Sequence, residues 1–293
     1  MKVFDNFIQI LFDDGIRAFR NLKYRTIVMD DLQLQIVVND KVELDKMWRN
    51  SRFINCLNLN VSTARRVIPE SYVVNLAKFR DYVEQYNSTI FLFGGTLLGW
   101  YRECSFIHDT TDVDFTMKIE DLNDNLLANL PNATGMSLYW MLGRVMVNVH
   151  VIYVNLNANF MELSFNHFRK NDSLEISVYM QNIKIDLFFL YRDTSYDWVG
   201  GMVVPKKEKL RWFYPHVDEL CSGNLLGILF NVPCNVDDVL KADYGSNWRV
   251  PHSSSTFQWD RSHKNIHRVG FWKAEEWEQV KLNNFGSVED IVF

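Results

Sequence analysis

The residues that could do chemistry in this chain begin with two aspartates, Asp112 and Asp114, which flank Val113 in an apolar run. Alternate side chains of a β-strand point to the same face, so a strand here places both carboxylates together. Two adjacent carboxylates repel each other, and a cation between them or a proton on one of them relieves the repulsion. Carboxylate oxygens suit Mg²⁺ or Mn²⁺, which are commonly shared with substrate phosphates. The pair therefore predicts a metal-dependent phosphate-transfer site.

A third carboxylate, Asp186, lies within the apolar sequence IKIDLFF. An ionised carboxylate on a buried strand is costly unless a partner stabilises it. A neighbouring strand that presents Asp112 and Asp114 around a cation would supply that partner, and three aspartates could hold two divalent ions. We therefore expect all three to be metal ligands and catalytic residues. The structural alternatives are a solvated strand end for the pair and bonds to backbone amides for Asp186.

Upstream of the aspartates, Gly94, Gly95 and Thr96 form a turn that opens a short predicted helix. Glycine lets a phosphate approach the backbone closely, and a helix N-terminus offers N–H groups that lack intrahelical partners. These three residues are therefore predicted to bind the phosphates of a substrate.

The elements that must position these residues are predicted from apolar periodicity. Predicted helices lie at 4–19, 42–50, 69–86, 96–102, about 120–130, 205–213 and 235–243. Predicted strands lie at 33–38, 90–93 and 113–117, and several more lie between 136 and 191, where Gln181 and Asn182 form a tight turn before the strand of Asp186. An irregular, aromatic-rich tail is expected to close the chain.

These residues match a known pattern. A Gly-Gly turn, a strand with Asp-x-Asp and a later strand with a single Asp, in that order, are the signature of the nucleotidyltransferase superfamily. More narrowly, FGGTLLGWYRECSFIHDTTDVDF, together with ADYGSNWRVP and FQWDRS, resembles the fukutin/LicD-type phosphotransferase family. The resemblance is strongest over residues 89–119 and continues through KIDLFF and residues 236–262.

The resemblance implies an α+β fold, in which a nucleotidyltransferase-like mixed β-sheet is flanked by helices. Residues 89–293 would form the LicD/nucleotidyltransferase-like catalytic domain. Residues 1–88 would form a smaller, fukutin-like N-terminal α/β module.

The resemblance also implies a reaction. A metal-dependent glycan phosphotransferase, similar to a ribitol-5-phosphate transferase of protein O-mannosyl glycans, would use a CDP-activated polyol phosphate as donor and a sugar hydroxyl of a glycoprotein glycan as acceptor, and would release CMP. Asp112, Asp114 and Asp186 would bind Mg²⁺ or Mn²⁺. Arg102 would neutralise phosphate charge, or else form a surface ion pair. A related glycosyltransferase is a candidate partner.

Two alternatives stay open beside this interpretation. The transferred group could be phosphocholine or another alcohol phosphate. From a different functional class, the chain could be a non-catalytic relative that binds glycans or partner enzymes.

Charge and hydropathy narrow the function classes. The 293 residues include 31 basic and 36 acidic side chains, and this net charge of −5 argues against a nucleic-acid binder held by a diffuse basic surface. No apolar run is long enough to predict a membrane span, and acidic residues interrupt the first apolar segment, so no signal peptide is predicted. The family resemblance nevertheless implies the Golgi or ER lumen.

The cysteines have no metal-binding spacing, and we predict buried free thiols, with a Cys221–Cys234 disulfide as the alternative in an oxidising compartment. Glycosylation motifs of the form Asn-x-Ser/Thr occur at Asn60, Asn87, Asn132 and Asn171.

Two further groups lie towards the C-terminus. A basic cluster is predicted to be a solvated helix face, or else to attract an anionic donor; it consists of Lys206, Lys207, Lys209 and Arg211. An aromatic group is predicted to cover the core, or else to stack on a base or sugar; it contains Trp248 and Trp259, beside Asp260 and Arg261.

Overall fold

A computed structural model describes residues 2–29, 32–59, 65–143, 147–154, 160–167, 172, 175–253 and 256–283. The helices are α1 (Lys41–Arg49), α2 (Val73–Glu84), α3 (Gly94–Glu103), α4 (Asp124–Asn129), α5 (Val236–Tyr244) and α6 (Ala274–Val280). The strands of the N-terminal half are β1 (Lys2–Val3), β2 (Ile8–Phe12), β3 (Gly15–Phe19), β4 (Tyr24–Met29), β5 (Leu32–Val37), β6 (Phe53–Ile54), β7 (Phe91–Leu92), β8 (Asp112–Lys118) and β9 (Ser137–Leu142). The remaining strands are β10 (Val147–Val154), β11 (Phe160–His167), β12 (Glu175–Met180), β13 (Ile183–Arg192), β14 (Asp197–Val203), β15 (Glu208–Tyr214), β16 (Leu220–Leu225), β17 (Ile228–Pro233), β18 (Ile266–Phe271) and β19 (Lys281–Asn283).

The largest sheet within the described ranges has nine strands, and its centre is β13. Its main path runs β18-β15-β14-β13-β12-β9-β19; in addition, β8 pairs with β13, and β7 pairs with β8. β8 runs parallel to the first part of β13, whereas β12 and β14 are antiparallel to it. This mixed sheet packs with helices, so the predicted α+β class, with a nucleotidyltransferase-like mixed sheet, is confirmed.

The main core joins both halves of the chain. Phe79 of α2 packs against Phe115 of β8, with ring centroids 5.8 Å apart, and Phe115 lies 6.1 Å from Phe230 of β17. All three side chains are fully buried. The division of the chain at residue 88 stays a prediction, and α2, which precedes it, covers the aspartate-bearing strand.

Most predicted elements near the site are confirmed. The helix after Gly94, the buried strand at 91–92, the strand at 112–118 and the hairpin at Gln181-Asn182 all form, and both turn residues have positive φ (48° and 63°). The helix predicted from Glu120 begins only at Asp124, because Ile119–Asp121 forms a separate 3₁₀ turn and Asn123 caps the helix by accepting from the Asn125 N–H.

The prediction of a helix at 4–19 is wrong. The segment forms the antiparallel pair β2–β3, in which Phe12 lies opposite Gly15. Ile8, Ile10 and Phe12 alternate with period two, and Gly15 has a φ of 125° that suits the tight turn. Turn chemistry therefore overrode the helical spacing of the apolar residues.

The prediction of a helix near 205–213 is also wrong, since strand β15 occupies Glu208–Tyr214. Buried and half-buried residues alternate along this strand. The basic cluster is therefore not a solvated helix face. Lys209 and Arg211 both pair with Asp172, at 3.0 and 3.4 Å.

The prediction of free thiols is wrong, because each cysteine is bonded. Cys56 pairs with Cys104, and Cys221 pairs with Cys234. The second disulfide spans the β16–β17 hairpin, and the first fastens the N-terminal part of the chain to the end of α3. The Cys221–Cys234 disulfide, which was the alternative to free thiols, is therefore confirmed. The Cys56–Cys104 disulfide was not predicted.

None of the helices in the described ranges is long and apolar enough to cross a membrane.

Candidate functional site

The structure brings together the three predicted acids on adjacent parallel strands. Asp186 of β13 lies opposite Asp114 of β8, and two positions earlier on the same face Lys184 lies opposite Asp112. One carboxylate oxygen from each aspartate lies within 4.8 Å of the others. A group of this size and composition can hold a divalent cation.

The Gly-Gly-Thr turn fixes Asp114. The Gly95 N–H donates to Asp114 Oδ2 at 2.8 Å, and the Asp114 N–H donates to Thr96 Oγ1 at 2.8 Å. Gly94 has a φ of +48°, and a Cβ placed on it would lie 2.8 Å from Asp114 Oδ2. Glycine is therefore required at Gly94 by the close approach of this carboxylate. Phosphate binding by the turn stays a prediction.

The electrostatics of the cluster favour a bound cation. Burial, followed by the charges of Asp112 and Asp186, raises the pKa of Asp114 well above its ordinary value. Burial also raises the pKa of Asp186, although Lys184 opposes this change. Carboxylates that resist ionisation because they crowd each other are the groups that a divalent cation would neutralise, so the residues present fit a metal ion.

Lys184 is a site residue that the sequence analysis missed. Its Nζ lies 2.9 Å from Asp186 Oδ2 and 3.9 Å from Asp112 Oδ2. Burial disfavours the charge on Lys184, but the two carboxylates outweigh burial and raise its pKa. Period-two spacing from Asp186 along the predicted strand was the signal that could have identified it.

Glu175 of β12 is a second missed residue. Its Oε1 accepts from Trp140 Nε1 at 3.3 Å. Burial, and then the charge of Asp186, raises the pKa of Glu175 to about 7. The sequence places Glu175 in an ordinary alternating strand, and only the pairing of β12 with β13 places it beside the site.

Arg102 does not form a surface ion pair, because it is buried and pairs with the buried Glu103. The side chain is buried, and its Nε donates to Glu103 Oε1 at 3.0 Å. Its Nη1 donates to the Trp248 carbonyl at 3.4 Å. Arg102 also lines the cleft described next, and its binding of substrate stays a prediction.

A cleft of about 650 Å³ contains the aspartates. Gly94, Gly95 and the three acids line one part of it, and aromatic side chains of β15 and the C-terminal segment line another. Of the predicted aromatic group, Trp248 is buried and stacks on Tyr101 at 5.5 Å, while Trp259 stands at the cleft with 48% of its surface exposed. The volume suits a small-molecule substrate with several groups.

The sequence that builds this site matches a known protein family. The family described as LicD/FKTN/FKRP, nucleotidyltransferase domain, matches residues 87–235. The chain belongs to this family. The matched range includes the Gly-Gly-Thr turn, Arg102 and the three aspartates. Membership in the LicD/FKTN/FKRP family supports a phosphotransferase-like role for the chain.

Curated relatives agree with this assignment. Two uncharacterized proteins of Caenorhabditis elegans are similar to the chain: one is 30% identical over 271 residues, covering 88% of this chain and 62% of the relative, and the other is 33% identical over 252 residues, covering 80% and 59%. The human ribitol-5-phosphate transferase FKTN is 25% identical over 275 residues, which cover 90% of this chain and 53% of that protein. The chain thus spans between about half and three-fifths of the length of these relatives.

Proposed function

We propose that this chain is a metal-dependent glycan phosphotransferase that transfers ribitol 5-phosphate, or a related polyol phosphate, from a CDP-linked donor to a sugar hydroxyl. The observation that carries this proposal is the cluster of three carboxylates on parallel strands, within 4.8 Å of one another and beside the N-terminus of α3. The similarity to a relative named as a ribitol-5-phosphate transferase supports the donor class.

Asp112, Asp114 and Asp186 would hold Mg²⁺ or Mn²⁺. When bound, the ion would offset the negative charge of the donor diphosphate and polarise the phosphoryl group that is transferred.

The chain's own residues have distinct tasks in this proposal. Gly95 and Thr96 hold Asp114 in place, and Lys184 holds Asp186. As the acceptor oxygen forms its bond to the ribitol-bearing phosphorus, the bond from that phosphorus to the CMP oxygen breaks. One carboxylate of the cluster takes the proton of the acceptor hydroxyl. The first turn of α3 and Arg102 would face the negative charge of the diphosphate.

We place the protein in the lumen of the secretory pathway. Two disulfides are typical of an oxidising compartment. Of the glycosylation motifs, Asn87 and Asn132 are exposed, whereas Asn60 and Asn171 lie outside the described residues. The acceptor proposed is a glycoprotein glycan, and a related glycosyltransferase is the proposed partner.

The decisive experiment measures CMP release. Purified chain is incubated with Mn²⁺, a CDP-ribitol or CDP-choline donor, and acceptor glycans of the O-mannosyl type. We expect CMP with CDP-ribitol, loss of at least 100-fold in rate in Asp114→Asn, and no change in Asp45→Asn, which removes an exposed acid of α1.

Other results of this assay, and of binding measurements made beside it, would favour the alternatives. Release from CDP-choline alone would assign phosphocholine as the transferred group. Mn²⁺ binding by calorimetry that is equal in wild type and Asp112→Asn would remove Asp112 from the ligand set. Glycan binding without CMP release from either donor would favour the non-catalytic interpretation.

A further inference from the structure

Five ring side chains line the cleft as one group, here called the aromatic end; they are Trp212, Tyr244, Phe257, Trp259 and His263. The His263 ring contacts the rings of Phe257 and Tyr244 at centroid distances of 4.9 and 5.4 Å. Trp212 lies 6.0 Å from His263 and 6.3 Å from Trp259. The group therefore forms a continuous aromatic wall, of which Trp259 is the exposed edge.

The backbone is adapted to the position of Trp212. A Cβ on Gly201 of β14 would lie 2.7 Å from Trp212 Cζ3, so the indole rests directly on the glycine backbone. A glycine within a strand has no side chain to pack. Here the close contact of the Trp212 ring with the Gly201 backbone takes the place of that packing. The ring of Trp212 is thus held in one place at the cleft.

Three buried polar atoms at the aromatic end lack a hydrogen-bond partner among the described residues: Asp243 Oδ2, Trp212 Nε1 and His263 Nδ1. Of these, His263 Nδ1 lies 3.3 Å from the other Asp243 oxygen, Oδ1. Asp243 is 1% exposed; its Oδ1 accepts from the Tyr214 hydroxyl at 2.7 Å, while its Oδ2 has no hydrogen-bond partner in the part of the chain that the structure describes. Trp212 is 7% exposed, and its Nε1–H is likewise unpaired there. A buried acceptor and a buried donor left open beside an aromatic wall are costly unless a ligand satisfies them.

The aromatic end is continuous with the phosphate-transfer part of the cleft. Asp243 and Tyr244 line the same cleft as the three aspartates. A ligand that places a diphosphate at the aspartates could therefore extend its other end toward these rings.

We propose that the aromatic end binds the cytosine base of the CDP-linked donor. Trp259 stacks on the face of the base, Asp243 accepts a hydrogen bond from the exocyclic amino group, and the Trp212 N–H donates to the polar edge of the ring. Carboxylates accept from the cytosine amino group in other recognition sites, and aromatic side chains stack on any base. This inference rests on the proposed function, since it locates one part of the proposed donor.

A cytosine fits these groups better than a sugar does. Cytosine is flat on both faces and concentrates one donor and adjacent acceptors on a single edge, which matches the open Asp243 Oδ2 acceptor and the open Trp212 N–H donor. A pyranose carries hydroxyls around its whole rim, and the rings of the aromatic end offer few partners for them. Thr256, Ser262 and Lys264 also line this cleft, so a monosaccharide is included as a competitor in the tests below. Uracil has a carbonyl in place of the amino group, which would face the Asp243 carboxylate without a hydrogen.

The first test measures binding of CMP and UMP to the full chain, without acceptor, by calorimetry and tryptophan fluorescence. We expect CMP to bind more tightly than UMP. Trp259→Ala should weaken CMP binding by about 5- to 150-fold, the range expected for loss of one base-stacking side chain, and Trp259→Phe should retain most of the affinity. Trp48→Ala is the matched control, because Trp48 is exposed to a similar extent (44% against 48%) on α1.

The second test uses Asp243→Asn, which keeps the side-chain shape but adds a donor. We expect the preference for CMP over UMP to fall towards equality, with UMP binding gained, and a merely structural role for Asp243 would lower both affinities together. Thermal unfolding checks that the variant is folded. Where it is not, Tyr214→Phe, which removes the hydroxyl bonded to Asp243 Oδ1 but leaves Oδ2 unchanged, should keep the CMP preference.

The outcomes separate this inference from the proposed function. No CMP binding by wild type, or unchanged CMP binding in Trp259→Ala, overturns the cytosine site even where CMP is released in the transfer assay. A contrary result would be that a free monosaccharide such as N-acetylgalactosamine displaces CMP, with binding of both ligands lost in Trp259→Ala. That result would assign the aromatic end to sugar binding and overturn the inference. CMP binding that depends on Trp259 in a chain that transfers nothing would keep the base site and refute only the transferase proposal.

Discussion

Asp114 and Asp186 lie directly opposite each other on parallel strands, although long stretches of other structure separate them in the chain. Their register places the two carboxylates on one face beside Asp112. Burial and mutual repulsion make this arrangement unfavourable in the metal-free protein. We therefore expect the site to lower the free energy of unfolding, and a bound cation to raise it again.

The Asp114→Asn substitution should separate these two effects. In EDTA, the variant should unfold at a higher temperature than wild type, because asparagine replaces a carboxyl group whose ionisation is opposed by burial and by the charges of Asp112 and Asp186. Wild type should gain about 2.7 kcal/mol at Mn²⁺ concentrations of 100 times Kd, or roughly 5–10 °C in Tm, and the variant should gain almost none. Circular dichroism melts with and without Mn²⁺ measure both shifts, with Asp45→Asn as control. A Mn²⁺ shift of wild-type size in Asp114→Asn would remove this residue from the site.

The Gly94→Ala substitution should impair the site through a single methyl group. The added Cβ meets Asp114 Oδ2 at 2.8 Å and also occupies a left-handed backbone position, with φ of +48°. We expect at least tenfold weaker Mn²⁺ binding by calorimetry. Gly135→Ala is the matched control, since Gly135 also has positive φ (+83°) but open space around it. It should lose about 1 kcal/mol of stability from strain and keep its metal affinity. Equal metal affinities in the two variants would contradict the role assigned to Gly94.

His216 should make stability depend on pH near neutrality. Its Nδ1 donates to the buried Asp197 at 2.9 Å, and this hydrogen bond raises the pKa of His216 above its usual 6.5. A raised histidine pKa means that the folded state holds the proton more tightly. The stabilisation is therefore complete below pH 6.5 and disappears as the pH rises through the raised pKa.

The His216→Gln variant tests this expectation by urea unfolding at several pH values. The stability difference from wild type should be largest below pH 6.5 and should shrink as the pH rises. In an Asp197→Asn background the pH dependence of that difference should vanish. A difference that stays constant from pH 5 to 9 would show that His216 acts by packing alone.

The two disulfides should contribute unequally to stability. Loop-closure entropy predicts a loss of about 4 kcal/mol for removal of Cys56–Cys104, whose cysteines are 48 positions apart, and about 3 kcal/mol for Cys221–Cys234, which are 13 apart. Paired Cys→Ser variants measured by guanidinium unfolding give both values. Thiol titration of denatured wild type without reductant should find no free thiol, and two or more free thiols would refute the pairing.

Much of the candidate site could be predicted because its signals are local. Asp112 and Asp114 share a strand face by spacing alone, and Gly94 and Gly95 mark a helix start. The pairing of the two distant strands was inferred from the cost of burying Asp186 and from the family resemblance, and the structure shows this pairing. Lys184 and Glu175 were missed because their importance depends on which strand lies beside which, and a single sequence does not state the register.

The errors have a similar origin. In residues 4–19 and 205–213, apolar residues are compatible with both helical and alternating spacing, and turn residues and neighbouring strands decided the outcome. Cys56 and Cys104 pair through tertiary contacts that no spacing rule reveals. Asp243 and Trp212 come together only because α5 packs on β15.

The bond between Cys56 and Cys104, together with the cover that Phe79 gives Phe115, bears on how the protein can be dissected. A fragment that started at residue 89 would lack Cys56, so Cys104 at the end of α3 would be a free thiol. The first turn of this helix holds Asp114. The fragment would also lack α2, and so the apolar face of β8 that contains Phe115 would be exposed to solvent. We therefore expect a fragment that begins at residue 89 to fold poorly on its own, and protein production should retain the segment from Cys56 onward.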